Sequence, residues 1–100
     1  MKTTEKVKEI HEIVGKKWNI IIIYELSKEK MRFKDLREAI PEISYRLLSN
    51  RLQNLVHEKI VKRTVYALTK VRIEYELTEK GRNILKIFSL LLQKIVIIIY

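Results

Sequence analysis

The stretch "FKDLREAIPEISYRLLSNRL", Phe33 to Leu52, constrains the fold more than any other part of the chain. Phe33, Leu36 and Ile40 recur at i, i+3, i+7, the spacing of one buried face of a short helix. Pro41 ends that helix, because proline disfavours helical backbone in the residue before it and supplies no N–H. Only Pro41, Glu42 and Ile43 separate it from a second helix. Ser44 is a good N-cap there, and Ile43 and Leu48 are placed to meet across it as a hydrophobic staple. Two helices held by such a turn form a helix-turn-helix unit.

The second helix has two distinct faces. With Leu48 at the centre of the buried side, Leu52, Leu55 and Val56 fall within about 80° of it at about 100° per residue. Arg46, Asn50, Gln53 and His57 line the opposite side, flanked by Ser49, Asn54 and, at the helix start, Tyr45. No acidic residue follows Ser44 until Glu58. Arg can donate two bonds to guanine, and Asn and Gln can pair with both groups of adenine, so the outer stripe suits base edges. Ser44, Tyr45, Arg46, Ser49, Asn50 and Gln53 are therefore expected to read bases. Arg51, nearer the core side, is expected to buttress the fold or touch a phosphate. His57, far from the N-terminal half, is expected to be merely exposed.

Charge placement supports a polyanionic partner. The formal net charge is +9. Residues 28–72 hold twelve Lys/Arg against five Asp/Glu, a balance of +7, whereas 1–27 and 73–100 carry +1 each. A localised basic excess is the footprint of a nucleic-acid binder. Phosphate contacts are expected from Arg32, Lys34 and Arg37 around the first helix of the unit and from Arg51 and Asn54. Lys62, Arg63, Lys70 and Arg72 on the segment that follows are expected to add to them. Such contacts position a protein without specifying sequence.

That following segment reads as a hairpin. "IVKRTVYAL" and "VRIEYELT" are β-branched and partly alternating, with Thr69–Lys70 between them and Val71, Ile73, Tyr75 and Leu77 on one face. Thr78 then caps a last helix, and Gly81 in its first turn permits close packing against the hairpin. Along that helix Arg82, Lys86, Ser89 and Gln93 make one narrow polar stripe. Ile84, Phe88, Leu91, Ile95 and Ile98 run opposite, flanked by Leu85, Leu92, Val96 and Ile99. An apolar arc of roughly half the circumference exceeds what one small core covers, so a partner helix of a second copy is expected. At the other end, residues 3–14 carry Val7, Ile10 and Val14 at helical spacing. "WNIIIIYEL", Trp18 to Leu26, is ambiguous: four isoleucines favour a strand, yet a short apolar run is equally a buried helix.

Several function classes are excluded or disfavoured. The chain has no Cys, which removes disulfides, thiolate metal sites and thiol redox sensing. His11 and His57 are far apart, so no metal site is expected. No Gly-rich phosphate loop or Ser-His-Asp-like set is present, so neither an enzyme nor a cofactor is expected. "MKTTEKVKEI" lacks the apolar stretch of a signal peptide, and Lys86, Ser89, Gln93 and Lys94 interrupt the most apolar segment. A cytoplasmic chain without membrane contact is expected.

Four pieces in order, "GKKWNIIIIYEL", "RFKDLREAIPEIS", "LLSNRLQNLVHEKIVKR" and "VRIEYELTEKGRNIL", resemble the HxlR-type winged helix-turn-helix transcriptional regulators, relatives of the MarR group. The resemblance spans about Val14 to Leu85. It implies that Trp18 to Leu26 is helical, with Trp18 in the core. It also implies a recognition helix from Ser44 to about Glu58 and a wing from Ile60 to Thr78. Where this family usually has a proline before Arg72, Lys70-Val71 stands here, which implies a wing tip either more flexible or more strand-like.

The expected fold is thus α+β, mainly helical: one winged helix-turn-helix domain over residues 1–100, with 1–14 and 79–100 as dimerisation helices. Val7, Ile10, Ile84, Phe88, Leu91, Leu92, Ile95 and Ile98 are the expected dimer interface. The expected function is a sequence-specific transcriptional regulator that binds double-stranded DNA as a homodimer, with any small-molecule effector undetermined. The alternatives on the same fold are a non-specific DNA-binding protein of chromatin type and a protein-interaction module.

Overall fold

Helices flank a single hairpin in the computed structural model, which describes residues 16–67 and 69–99. The element order is α1 (residues 16–28), α2 (Phe33–Ala39), α3 (Tyr45–His57), β1 (Val61–Ala67), β2 (Val71–Leu77) and α4 (Glu79–Ile99). This is the mainly helical α+β, winged helix-turn-helix order expected from the sequence. The helix expected over residues 3–14, with Val7 and Ile10, lies outside the described residues, as do the side chains of Ile95 and Ile98.

The isoleucine run is helical. Ile22, Ile23 and Leu26 are buried while Tyr24 between them is exposed. A strand would send Ile22 and Tyr24 to the same side, whereas burial at i, i+1, i+4 is one face of a helix. Trp18 and Ile21 pack half-buried against the same core, so tertiary contact overrides the β-propensity of the isoleucines.

The turn after α2 closes as expected. The backbone N–H of Arg32 donates to Asp35 Oδ2 at 3.0 Å, which fastens the first turn of α2. Ile43 N donates to Ile40 O at 3.2 Å, and the α3 cap follows directly. Ser44 is extended (φ −74°, ψ 155°), and its hydroxyl accepts from Leu47 N at 3.1 Å. Leu36, Ile40, Ile43, Leu48, Leu52, Leu55, Val61 and Leu77 join the α1 residues in one core. Burying one such side chain is worth about 1.5–3 kcal/mol.

Helix α3 ends in a Schellman motif: Ile60 N donates to Leu55 O at 2.9 Å and Lys59 N to Val56 O at 3.0 Å. Lys59 occupies the left-handed position at φ 62°, where glycine is usual. From there β1 and β2 pair antiparallel, from Val61 opposite Leu77 to Ala67 opposite Val71. The ladder thus reaches Val71, and Thr69 and Lys70 next to it form a bend.

Two details of the hairpin depart from the sequence reading. Met31 pairs with Tyr75 and adds a third, one-residue strand to the far edge of β2. Of the four residues expected on one inner face, Leu77 is buried and Tyr75 and Ile73 are half-buried, but Val71 is exposed. At Val71 the ribbon has run past the helices that cover its base.

Thr78 precedes α4, and its hydroxyl accepts from Gly81 N at 3.1 Å. Gly81 is buried against the base of the hairpin, where a Cβ would lie 2.5 Å from Ile60 O and 2.9 Å from Leu77 Cδ2. Only glycine fits that approach.

Candidate nucleic-acid interface

The two faces of α3 separate as the helical spacing requires. Leu48, Leu52 and Leu55 are buried and Val56 is half-buried. Arg46, Asn50, Gln53, Asn54 and His57 are exposed, and no acidic residue occurs from Tyr45 to His57. Ser44 caps the helix: its Oγ accepts from Leu47 N, which leaves the hydroxyl proton free to donate. Arg51 is half-buried with its Nε enclosed, in keeping with a buttressing side chain whose terminal nitrogens alone can reach outward.

The base-reading candidates divide between two surfaces. Tyr45, Ser49 and Gln53 line an open cleft of about 490 Å³ between α3 and the wing, faced by Phe33, Arg63, Ile73 and Tyr75. Arg46 and Asn50 are exposed on α3 outside this lining. Tyr45 also braces the two helices: its ring centroid is 4.7 Å from that of Phe33, and the Arg37 guanidinium lies over it at 5.6 Å.

The basic residues of the wing are likewise sorted by the strand pleat. Lys62 and Arg63 are neighbours in sequence, so their side chains leave opposite faces. Arg63, opposite Tyr75 in the ladder, lines the cleft beside α3. Lys62 stands opposite Glu76, on the face that also carries Tyr66, Arg72 and Glu74. The structure therefore does not bring Lys62 to the cleft. Near the tip, Arg32 and Lys34 border a hollow with Val71 and Ile73, while Arg32, Lys70 and Arg72 surround another with Tyr66. The Arg72 guanidinium stacks over Tyr66 at 5.4 Å, and its Nε is 3.4 Å from Glu74 Oε2. Lys30 Nζ approaches the other Glu74 oxygen at 3.7 Å.

The residues expected at the dimer interface differ in exposure. Ile84, with Leu85, is half-buried against the chain's own core, because Thr78 and Gly81 hold the first turns of α4 on the hairpin base. Phe88 is half-buried and borders a hollow of about 420 Å³ with Lys16, Lys17, Ile20 and Ile21 of α1. Leu91 and Leu92 are exposed at 54% and 47%. Beyond them Ile87 at 60% and Leu90 at 51% widen the open apolar face.

With this geometry in place, residues 13–96 match the family described as HxlR-like helix-turn-helix. The chain belongs to that family. Among its relatives, the HTH-type transcriptional regulator YvaP of Bacillus subtilis is 42% identical over 78 residues, 78% of this chain and 72% of YvaP. YodB of the same organism, also an HTH-type transcriptional regulator, is 40% identical over 84 residues, 84% of this chain and 75% of YodB. The solved structure of reduced YodB superposes with a TM-score of 0.74 at 38% identity, covering 88% of this chain and 86% of that one. The oxidised form of the redox regulator HypR gives 0.70 at 34% identity, covering 89% and 91%.

Some features of this HxlR-like surface escaped sequence reasoning. Tyr66, Lys30 and Glu74 form one cluster with Arg72, although only Tyr66 and Arg72 are announced by the strand register that sets them opposite. Ile87 and Leu90, apolar at i, i+3, lay between the stripes read from the α4 sequence. Among the described residues, no group of three or more acidic or His side chains is placed to hold a metal ion, and no helix is long and apolar enough to cross a membrane.

Proposed function

We propose that this chain is a sequence-specific, DNA-binding transcriptional regulator that acts in the cytoplasm as a homodimer. Helix α3 enters the major groove and the wing lies on the flanking backbone or minor groove. The observation that carries this reading is the exposed, acid-free face of α3, with Arg46, Asn50 and Gln53, beside a wing that presents Arg63 across the same cleft. Major-groove edges offer the paired donors and acceptors that Arg, Asn and Gln match.

Arg46 and Asn50 read bases, with Tyr45, Ser49 and Gln53 at the side nearer the wing and Ser44 at the start of the helix. Arg32, Lys34, Arg37, Arg51, Asn54, Arg63 and Lys70 hold phosphates, as does Arg72 at the wing tip beside Arg32 and Lys70, whereas Lys62, at the base of the wing on the face away from the cleft, lies outside that set. Two copies meet through the exposed face of α4, where Ile87, Leu90, Leu91 and Leu92 leave adjacent large apolar side chains uncovered. A two-fold contact there predicts a near-palindromic site whose half-sites lie roughly one helical turn, or a multiple of it, apart.

Selection of bound sequences from random DNA at two salt concentrations tests this reading. A palindromic consensus should emerge, with affinity falling steeply as salt rises. Equal binding of selected and random duplexes would instead make the protein a non-specific binder.

A further inference from the structure

We infer that Thr78 and Lys80 are positioning residues: they lock the end of α3 to the start of α4 and thereby set the spacing between half-sites. This rests on the reading of the chain as a dimeric DNA-binding regulator.

Three successive carbonyls leave α3, those of Glu58, Lys59 and Ile60, and the start of α4 engages every one. Lys80 Nζ donates to Glu58 O at 2.9 Å. The Thr78 hydroxyl lies 2.7 Å from Lys59 O and 3.0 Å from Ile60 O, so its one proton is shared between them. The Thr78 backbone N–H donates to Ile60 O at 3.1 Å. Gly81 closes the joint, since its missing Cβ is what lets the α4 backbone approach Ile60 O.

Both sides of the joint are themselves fixed. On the α3 side, Glu58 N is bonded to Asn54 O at 2.9 Å and the Schellman bonds hold Lys59 and Ile60. On the α4 side, Gly81 N and Arg82 N are bonded to Thr78. The partners stand 18 to 22 positions apart in sequence, separated by the whole wing, yet no free hinge lies between the two helices. The open apolar face begins less than two turns further along α4, at Ile87. The angle at which each copy presents α3 is therefore transmitted through this joint from the helix that meets the partner.

DNA is a sensitive gauge of that angle. Adding one base pair between half-sites moves them apart by about 3.4 Å and rotates them by about 35°. A stiff joint tolerates few separations, and a loosened one tolerates several. A side chain that only stabilised the fold would lower the melting temperature without changing which separation binds best.

The test uses the full chain and duplexes that carry two copies of the selected half-site at each separation around the optimum. Thr78→Val removes the hydroxyl, Lys80→Met removes the ammonium while keeping the stem, and Thr78→Ser keeps the hydroxyl as a control. The expected result is an unchanged half-site consensus, with discrimination against separations one base pair off falling several-fold for Thr78→Val and Lys80→Met but not for Thr78→Ser. An unchanged separation profile in both variants overturns the inference while leaving the dimeric reading intact. A uniform loss at every separation with a shallower salt dependence makes Lys80 a phosphate contact and overturns its positioning role. If the wild-type chain itself shows no preferred separation, the dimeric reading fails and the inference falls with it. Lys80 is exposed, so Lys80→Met carries the test alone if Thr78→Val does not fold.

Discussion

Met31 and Tyr75 exchange both backbone hydrogen bonds, Met31 N to Tyr75 O at 2.9 Å and Tyr75 N to Met31 O at 2.8 Å. The segment entering α2 is thereby stitched to the wing. Arg32, the next residue, is carried to the rim of the wing-tip hollows, beside Val71, Lys70 and Arg72. One backbone pairing thus gathers cations from α2 and the wing onto a common border.

Adjacent wing residues should differ sharply in their effect on DNA binding. Arg63 lines the cleft beside α3, whereas Lys62 stands on the other face opposite Glu76. Arg63→Ala should weaken binding to all sequences and reduce the slope of log affinity against log salt by about 1. Lys62→Ala should leave both nearly unchanged. Titrations across a salt series check the pair.

The left-handed residue that ends α3 should limit stability. Lys59 sits at φ 62°, a conformation glycine adopts without a Cβ clash. Lys59→Gly should stabilise the domain by about 0.5–1 kcal/mol, and Lys59→Val should destabilise it by at least as much. Urea unfolding monitored by circular dichroism measures both, and equal midpoints would contradict the strain argument.

The open face of α4 should govern assembly. Leu90→Lys and Leu91→Lys each place a charge among exposed apolar side chains that lie outside the buried core. Both should yield monomers by sedimentation at concentrations where the wild type is dimeric, with the fold retained. Ile84→Ala should instead lower stability by about 1–2 kcal/mol, because Ile84 packs half-buried against the core of its own domain.

Thiol oxidation should leave this regulator unaffected. HypR is described as a redox regulator, but the present chain contains no Cys to form a disulfide or a thiol adduct. Diamide treatment should not change its affinity for its selected site. A diamide-dependent shift in DNA binding would contradict this.

Much of the architecture was legible because it rests on local chemistry. Pro41 and the Ser44 cap bracket the turn, and the Leu48, Leu52 and Leu55 spacing orients α3 without reference to anything distant. What was not legible depends on contacts across the chain. The isoleucine run around Ile22 is compatible with either secondary structure until a core claims one face of it. Met31 pairs through a single residue, which leaves no period to detect. Lys62 and Arg63 look equivalent as charges, and only the strand register assigns them to opposite faces. Ile84 belongs to the same apolar row as Leu91, yet Gly81 presses the first turns of α4 onto the hairpin and gives Ile84 to the core.

Base reading by the outer face of α3 is tested most directly at Asn50 and Arg46. Affinities of Arg46→Ala and Asn50→Ala should be measured for the selected site and for random duplex at one salt concentration. Each variant should lose about 1–3 kcal/mol on the selected site, with relaxed preference at the base pair contacted and little change on random DNA. Unchanged affinity and unchanged base preference in both variants would contradict base reading by this face.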